Sequence, residues 1–191
     1  MTPQDDDLSL TFGLSTESRF FFKCQRCSVC CSNKTIRVGP YEILRLSRNL
    51  GITTDAFLRT CCEDNSTILR NRPDGRCIFL ASHGCDVHAD RPLVCRLYPL
   101  GVLWDTEGKE RFSNMPPHPD CLGYLGDEGT VAGYLASQDV EPYLNYEKKY
   151  LAVLKNDKTN SLTQENLGRS GTDFAEALKS ALADRDRQGL D

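Results

Sequence analysis

The chain contains no run approaching the roughly 18 consecutive apolar residues of a membrane-spanning helix. It has no basic surplus either: 23 Lys and Arg stand against 27 Asp and Glu, a formal charge of −4. Nonspecific nucleic-acid binding needs a positive surface that displaces counterions, so that class is set aside. The opening residues, MTPQDDDLSLTFGLSTESRF, lack the positive flank and apolar stretch of a secretory signal; Asp5, Asp6 and Asp7 sit where such a signal would be basic. There is no Gly-rich phosphate loop, no serine nucleophile elbow, no HExxH and no recognisable methyl-donor site. The 191 residues, 39% hydrophobic and 26% charged, describe a globular protein of one domain with a smaller appendage, able to bury a core. A cytoplasmic location is expected, with no membrane and no nucleic acid among its partners.

What the chain has in excess is cysteine, ten residues of it. In a reducing compartment dense thiols bind metal more often than each other. The leading group is KCQRCSVCCSN, with Cys24, Cys27, Cys30 and Cys31. A two-residue spacer lets the backbone turn so that both sulfurs point at one ion, the reason CxxC recurs in zinc and iron–sulfur sites. Adjacent side chains tend to diverge, so of Cys30 and Cys31 either one is spare or the two face different centres. Cys77, Cys85, Cys95 and Cys121 follow at wide spacings. With the first four they make eight, the number needed for two four-thiolate sites. Cys61 and Cys62 fall on a predicted helix and read as peripheral, so Cys62→Ser is expected to be nearly silent.

The remaining pattern divides the chain into a mobile arm (1–18), a cysteine-bearing metal domain (19–155), and a polar linker with a peripheral helix (156–191). Arg19 to Phe22 reads as a short extended segment. Gly39-Pro40 opens a helix over Tyr41 to Asn49 that Gly51 stops, and Thr53 or Thr54 caps a second. Cys77 to Leu80 reads as a strand, and Leu100 to Trp104 as a strand paired with Glu110 to Ser113 across Glu107-Gly108. The glycine-dotted stretch Gly123 to Gly133 reads as a loop. Helical periodicity returns over Thr130 to Ser137 and Val140 to Leu154, and Phe174, Leu178 and Leu182 stripe the last helix. The fold class expected is α+β: a small metal-tied domain with irregular Cys-bearing loops, short strands and flanking helices.

The run CxxCxxCC, followed by CIFL, GCDVH, RPLVCRLYP and a late Cys-Leu-Gly, resembles the YkgJ-like cysteine-cluster family, described as zinc- or iron-chelating. The resemblance spans about Phe20 to Tyr134. It implies Cys24, Cys27, Cys30, Cys31, Cys77, Cys85, Cys95 and Cys121 as ligands. Flagellin lysine methylases share a similar cluster domain that looks like an iron–sulfur protein. Two positions depart from the family pattern: His88, where Tyr is usual, could add a nitrogen ligand, and Ser28, where Gly is frequent, stiffens the loop.

Four thiolates around a divalent ion leave a net negative charge that needs nearby cations or N–H donors. Lys23, Arg26, Arg91 and Arg96 flank the cysteines, with Arg91 and Arg96 favoured for that task. His83, His88 and His118 each lie within three residues of a cysteine but read as surface or packing residues. The overlapping spacings of the first group favour an iron–sulfur cluster, [4Fe-4S], in a redox or accessory role with an unidentified protein partner. The alternatives are a structural zinc interaction module and a metal-dependent enzyme of undetermined substrate.

Overall fold

The computed structural model of the chain describes residues 13–105 and 107–156. Along the chain run β1 (Arg19–Lys23), α1 (Pro40–Leu50), α2 (Thr54–Cys61), β2 (Leu80–Ala81), β3 (Gly84–Cys85), α3 (Leu93–Leu97), β4 (Leu100–Trp104), β5 (Glu110–Asn114), β6 (Tyr124–Thr130), α4 (Val131–Ser137) and α5 (Glu141–Asn156). Among the described residues the named strands pair antiparallel, in three two-stranded sheets. The class is α+β, as expected. The residues fall into two compact units: one holds the described residues up to Cys27 and Leu97–Asp139, the other Ser28–Arg96 and the described residues from Val140. Both units are therefore discontinuous in sequence. The predicted polar linker and its apolar-striped helix lie outside the described residues, as do the first twelve positions of the arm.

In the unit that begins at Ser28, α1 starts as its sequence dictates. Gly39 stands at its N-cap with Pro40 behind it, and Gly51 ends it at φ 67, a conformation glycine adopts without steric cost. Thr53 caps α2 by accepting the Ala56 N–H at 3.1 Å. The buried faces of α1 and α2 meet in a core of Val38, Ile43, Leu46, Phe57, Leu69, Phe79 and Val87. Tyr146 of α5 stacks on Tyr41 of α1 with centroids 4.2 Å apart, and Tyr143 meets the same ring edge-on at 5.1 Å. Buried Arg96 reaches the same helix, donating to the Tyr143 hydroxyl at 2.9 Å with its guanidinium over the ring. The anticipated strand at Cys77 is absent: Leu80 N–H returns to the Cys77 carbonyl at 3.0 Å, a turn that postpones extended pairing to Leu80.

In the other unit β1 pairs with β6, Lys23 opposite Tyr124 and Phe22 opposite Leu125, with a register shift between Arg19 and Phe21. This corrects the loop expected between Gly123 and Gly133. The glycines there serve close approach: a Cβ on Gly123 would come within 2.4 Å of the Phe22 ring, and one on Gly129 within 3.0 Å of the Phe20 carbonyl. Structure ahead of Arg19 is anchored by Leu14, whose N–H and carbonyl both pair with Phe112 at 2.9 Å. The β4–β5 hairpin forms as expected, its turn tied by Asp105 Oδ1, which accepts from Lys109 N–H at 2.9 Å and Glu107 N–H at 3.1 Å. Thr130 caps α4. Among the described residues no helix is long and apolar enough to cross a membrane.

Candidate metal centre

The boundary between the units falls inside the CxxCxxCC motif, after Cys27. Cys30 and Cys31 belong to the same unit as Cys77, Cys85 and Cys95, and the backbone brings these five together. Ser28, at φ 63, turns the chain into a single 3-10 turn over Val29–Cys31. Cys77 N–H then donates to the Cys31 carbonyl at 2.8 Å, and Asn33 N–H to the Gly75 carbonyl at 2.8 Å, lacing the two segments. Gly75 is required there: at φ 78, a Cβ would collide with the Asn33 side chain at 2.1 Å. Cys85 stands opposite Leu80 in the β2–β3 pair. Cys95 rides on α3, whose Leu93 N–H is held by the buried Glu42 carboxylate at 2.6 Å; the other oxygen of Glu42 caps Gly39.

Cys95 is the hub. Its thiol is pushed well up, first by burial and then by the charges of Cys77, Cys30 and Cys85. Cys77 and Cys85 are raised mainly by burial, against backbone N–H donors and the cations Arg72 and Arg91 respectively. The adjacent pair behaves differently. A hydrogen bond from the Cys31 thiol pulls Cys30 down to about 7 despite burial, helped by a backbone N–H and by Lys34. The same bond drives Cys31 upward. Neighbouring side chains were expected to diverge; in the tight 3-10 turn these two meet. Cys30, Cys77 and Cys85 each disfavour ionisation of Cys95, while Lys34, Arg72 and Arg91 act on Cys30, Cys77 and Cys85 respectively to favour it, a donor chemistry suited to a soft cation. Among the described residues, no three His, Cys, Asp or Glu side chains are gathered closely enough to hold an ion as they stand.

Cys24, Cys27 and Cys121 belong to the other unit. Cys24 follows β1 directly and Cys121 lies just before β6, so the Lys23–Tyr124 pairing brings their stretches side by side. A shared detail links cysteines of both units. Arg26 N–H donates to Cys24 Sγ at 3.3 Å and Gly123 N–H to Cys121 Sγ at 3.4 Å. Phe79 N–H reaches the Cys77 thiol and Val87 N–H the Cys85 thiol. In all four the donor is two residues after the cysteine, an arrangement that holds the sulfur in a fixed direction.

Other candidates have different occupations. Arg91 faces Cys85 and also donates to the His88 carbonyl at 2.8 Å. Arg96 spends its donors on Arg91, Ala89 and Tyr143 carbonyl and hydroxyl oxygens, so its evident work is to join α3 to α5. Lys23 and Arg26 are exposed. His83 pairs with Asp86 at 3.0 Å, and His118 Nδ1 accepts the Asp120 N–H at 3.1 Å. Lys34 and Arg72 went unnoticed in the sequence, because only the lacing of 31–33 to 75–77 brings them near sulfur. Cys61 and Cys62, read as peripheral to the ligand set, are 7% and 0% exposed, inside the hydrophobic core. Burial lifts Cys62 to about 12, leaving it a neutral thiol.

No curated protein and no solved structure matches this chain at a significant level. A family model does match, over residues 23–121, just over half of the chain and a span that begins one residue before Cys24 and ends at Cys121. On that match, together with a sulfur-rich site drawn from distant segments, the chain belongs to the CxxCxxCC family, whose description reads "Putative zinc- or iron-chelating domain".

Proposed function

We propose that this protein binds an iron–sulfur cluster through Cys30, Cys77, Cys85 and Cys95, in a redox or accessory role alongside a protein partner. The observation that carries the reading is that Cys30, Cys77 and Cys85, brought from distant segments, lie near enough to act on the Cys95 thiol. The overlapping two-residue spacings of Cys24, Cys27 and Cys30 support a cluster over a single ion. When bound, such a cluster supplies one-electron chemistry. The chain's part is to present sulfur and to temper its charge. Phe79 and Val87 N–H groups and the Cys31 thiol donate to Cys77, Cys85 and Cys30, and Lys34, Arg72 and Arg91 offset the negative charge.

A second reading, a structural zinc module, is favoured by one observation: Cys77 and Cys85 pack against the hydrophobic core, where a metal would extend that core outward. Anaerobic purification with iron, sulfide and zinc quantified together decides between them. Iron and acid-labile sulfide in equal amounts, with visible absorption bleached by dithionite, supports the cluster. A colourless protein with stoichiometric zinc overturns it in favour of the structural module.

A further inference from the structure

We infer that the stretch Leu122–Glu128 is a docking surface for an extended segment of a partner protein in which apolar side chains alternate with Lys or Arg. The inference gives a chemistry to the partner in the reading above and rests on that part of it alone, whichever metal the thiols hold. Six large hydrophobic side chains stand exposed among the described residues, and three of them fall within four positions: Leu122 at 72%, Tyr124 at 52% and Leu125 at 36%. Isolated exposed apolar residues are ordinary, whereas a cluster marks a site of association. Successive strand residues point to opposite faces, so exposure of both Tyr124 and Leu125 marks the edge of the sheet rather than one face. That edge is open. β6 pairs with β1 alone, and among the described residues no other backbone hydrogen bond involves Tyr124, Leu125 or Gly126. Alternate backbone groups there point outward, toward a strand that would lie alongside. Two steps along β1 from Phe21 to Arg19 are matched by four along β6 from Gly126 to Thr130, a bulge that ends regular pairing after Gly126.

Charge selects the occupant. Between positions 120 and 130 the charged residues are Asp120, Asp127 and Glu128, with no Lys or Arg, and all three are exposed. Glu128 folds back along the strand: it accepts the Tyr124 hydroxyl at 2.6 Å, and a Cβ on Gly126 would collide with its Oε2. Its carboxylate therefore lies beside the exposed apolar side chains. Arg19 of β1 acts on Glu128, and His118 Nδ1 lies 3.7 Å from Asp120, so the negative charge is offset only in part. A second copy of the chain paired antiparallel would set Asp120 against Asp127 and Glu128, carboxylate on carboxylate, which disfavours self-association. A cationic strand meets no such penalty.

The test reads fluorescence anisotropy of two labelled synthetic peptides titrated with the full-length, metal-bearing chain: Lys-Val-Lys-Val-Thr-Val-Lys, and its counterpart with Glu in place of each Lys. The cationic peptide should bind and the acidic one should not. Affinity should fall by about tenfold or more in Tyr124→Ser/Leu125→Ser and in Asp127→Lys/Glu128→Lys, with far-ultraviolet circular dichroism and metal content unchanged. The charge-reversed variant should take up the acidic peptide instead. Leu50→Ser/Ile52→Ser, which removes exposed apolar residues elsewhere, should bind as the unaltered chain does. Salt provides a check independent of variant folding, since binding to the unaltered chain should weaken as ionic strength rises. Failure of the cationic peptide to bind, equal binding of both peptides, indifference to salt, or binding that survives both double variants overturns the inference. Concentration-dependent dimerisation abolished by Tyr124→Ser/Leu125→Ser also overturns it, assigning the edge to a second copy. Failure of the cluster reading looks different: a chain that carries zinc and binds the cationic peptide refutes the cluster and supports the docking surface, whereas iron and sulfide without a peptide response does the reverse.

Discussion

The chain carries two Cys-Cys dipeptides, 30–31 and 61–62, and the fold treats them in opposite ways. Cys30–Cys31 occupies a one-turn 3-10 segment beside Lys34, where one thiol donates to the other and Cys30 is drawn down to about 7. Cys61–Cys62 closes α2, with its side chains among Val38, Phe57 and Leu69, and Cys62 is pushed up to about 12. One pair is prepared to become anionic and the other is held as a small hydrophobe. Composition alone treats them alike; what separates them is whether a cation and N–H groups, or only carbon, surround the sulfur.

The contrast can be broken most sharply at the hub. Cys95→Ala should strip most metal from its unit and destabilise it, because metal binding and folding are coupled; elemental analysis of the folded variant checks this, and full retention of metal would dissolve the distinction between the two pairs. Next comes Glu42, which holds the Cys95-bearing helix. Burial outweighs its two N–H bonds and raises its carboxyl to about 7 from an ordinary 4.5. The folded state then binds the proton more tightly than the unfolded one, so stability drains away as pH climbs from about 4.5 to about 7. In urea titrations, Glu42→Gln should therefore gain on the unaltered protein across that window by roughly 2–3 kcal/mol, then run parallel above it. A flat difference would contradict the assignment.

At the core pair, Cys62→Ser places a hydroxyl where no water reaches and should cost about 1–3 kcal/mol with metal content unchanged, replacing the near-silence expected from sequence. Loss of metal there would move Cys62 among the ligands. The smallest effect belongs to Ser28, a non-glycine residue at φ 63. Ser28→Gly should raise the denaturation midpoint slightly, by about 0.5–1 kcal/mol of stability, and a lower midpoint would show that serine contributes something the backbone argument omits.

Legibility in the sequence followed the range of the interaction. Gly39-Pro40, Gly51, Thr53 and Thr130 mark helix ends through contacts a few residues long, and the elements stand where those residues predict. The β4–β5 hairpin was readable for the same reason, its turn being tied by Asp105. β6 was not, because its glycines answer to Phe20 and Phe22 about a hundred residues earlier and mimic a loop when read locally. At the candidate site, thiol spacing showed which residue types to watch. It did not show that the motif divides after Cys27, nor that Lys34 and Arg72 approach the sulfurs, since both depend on segments some forty residues apart being stitched together.

The discontinuity of the Cys95 unit has a consequence during synthesis. Arg96 leaves the ribosome well before Tyr143, and α1 before the Tyr146 ring that stacks on it. Between them comes the whole stretch Leu97–Asp139, which belongs to the other unit. The nascent chain therefore leaves the Tyr41 face of α1 and the Arg96 side chain without their α5 partners until α5 emerges, a window in which chaperones can engage that uncovered face.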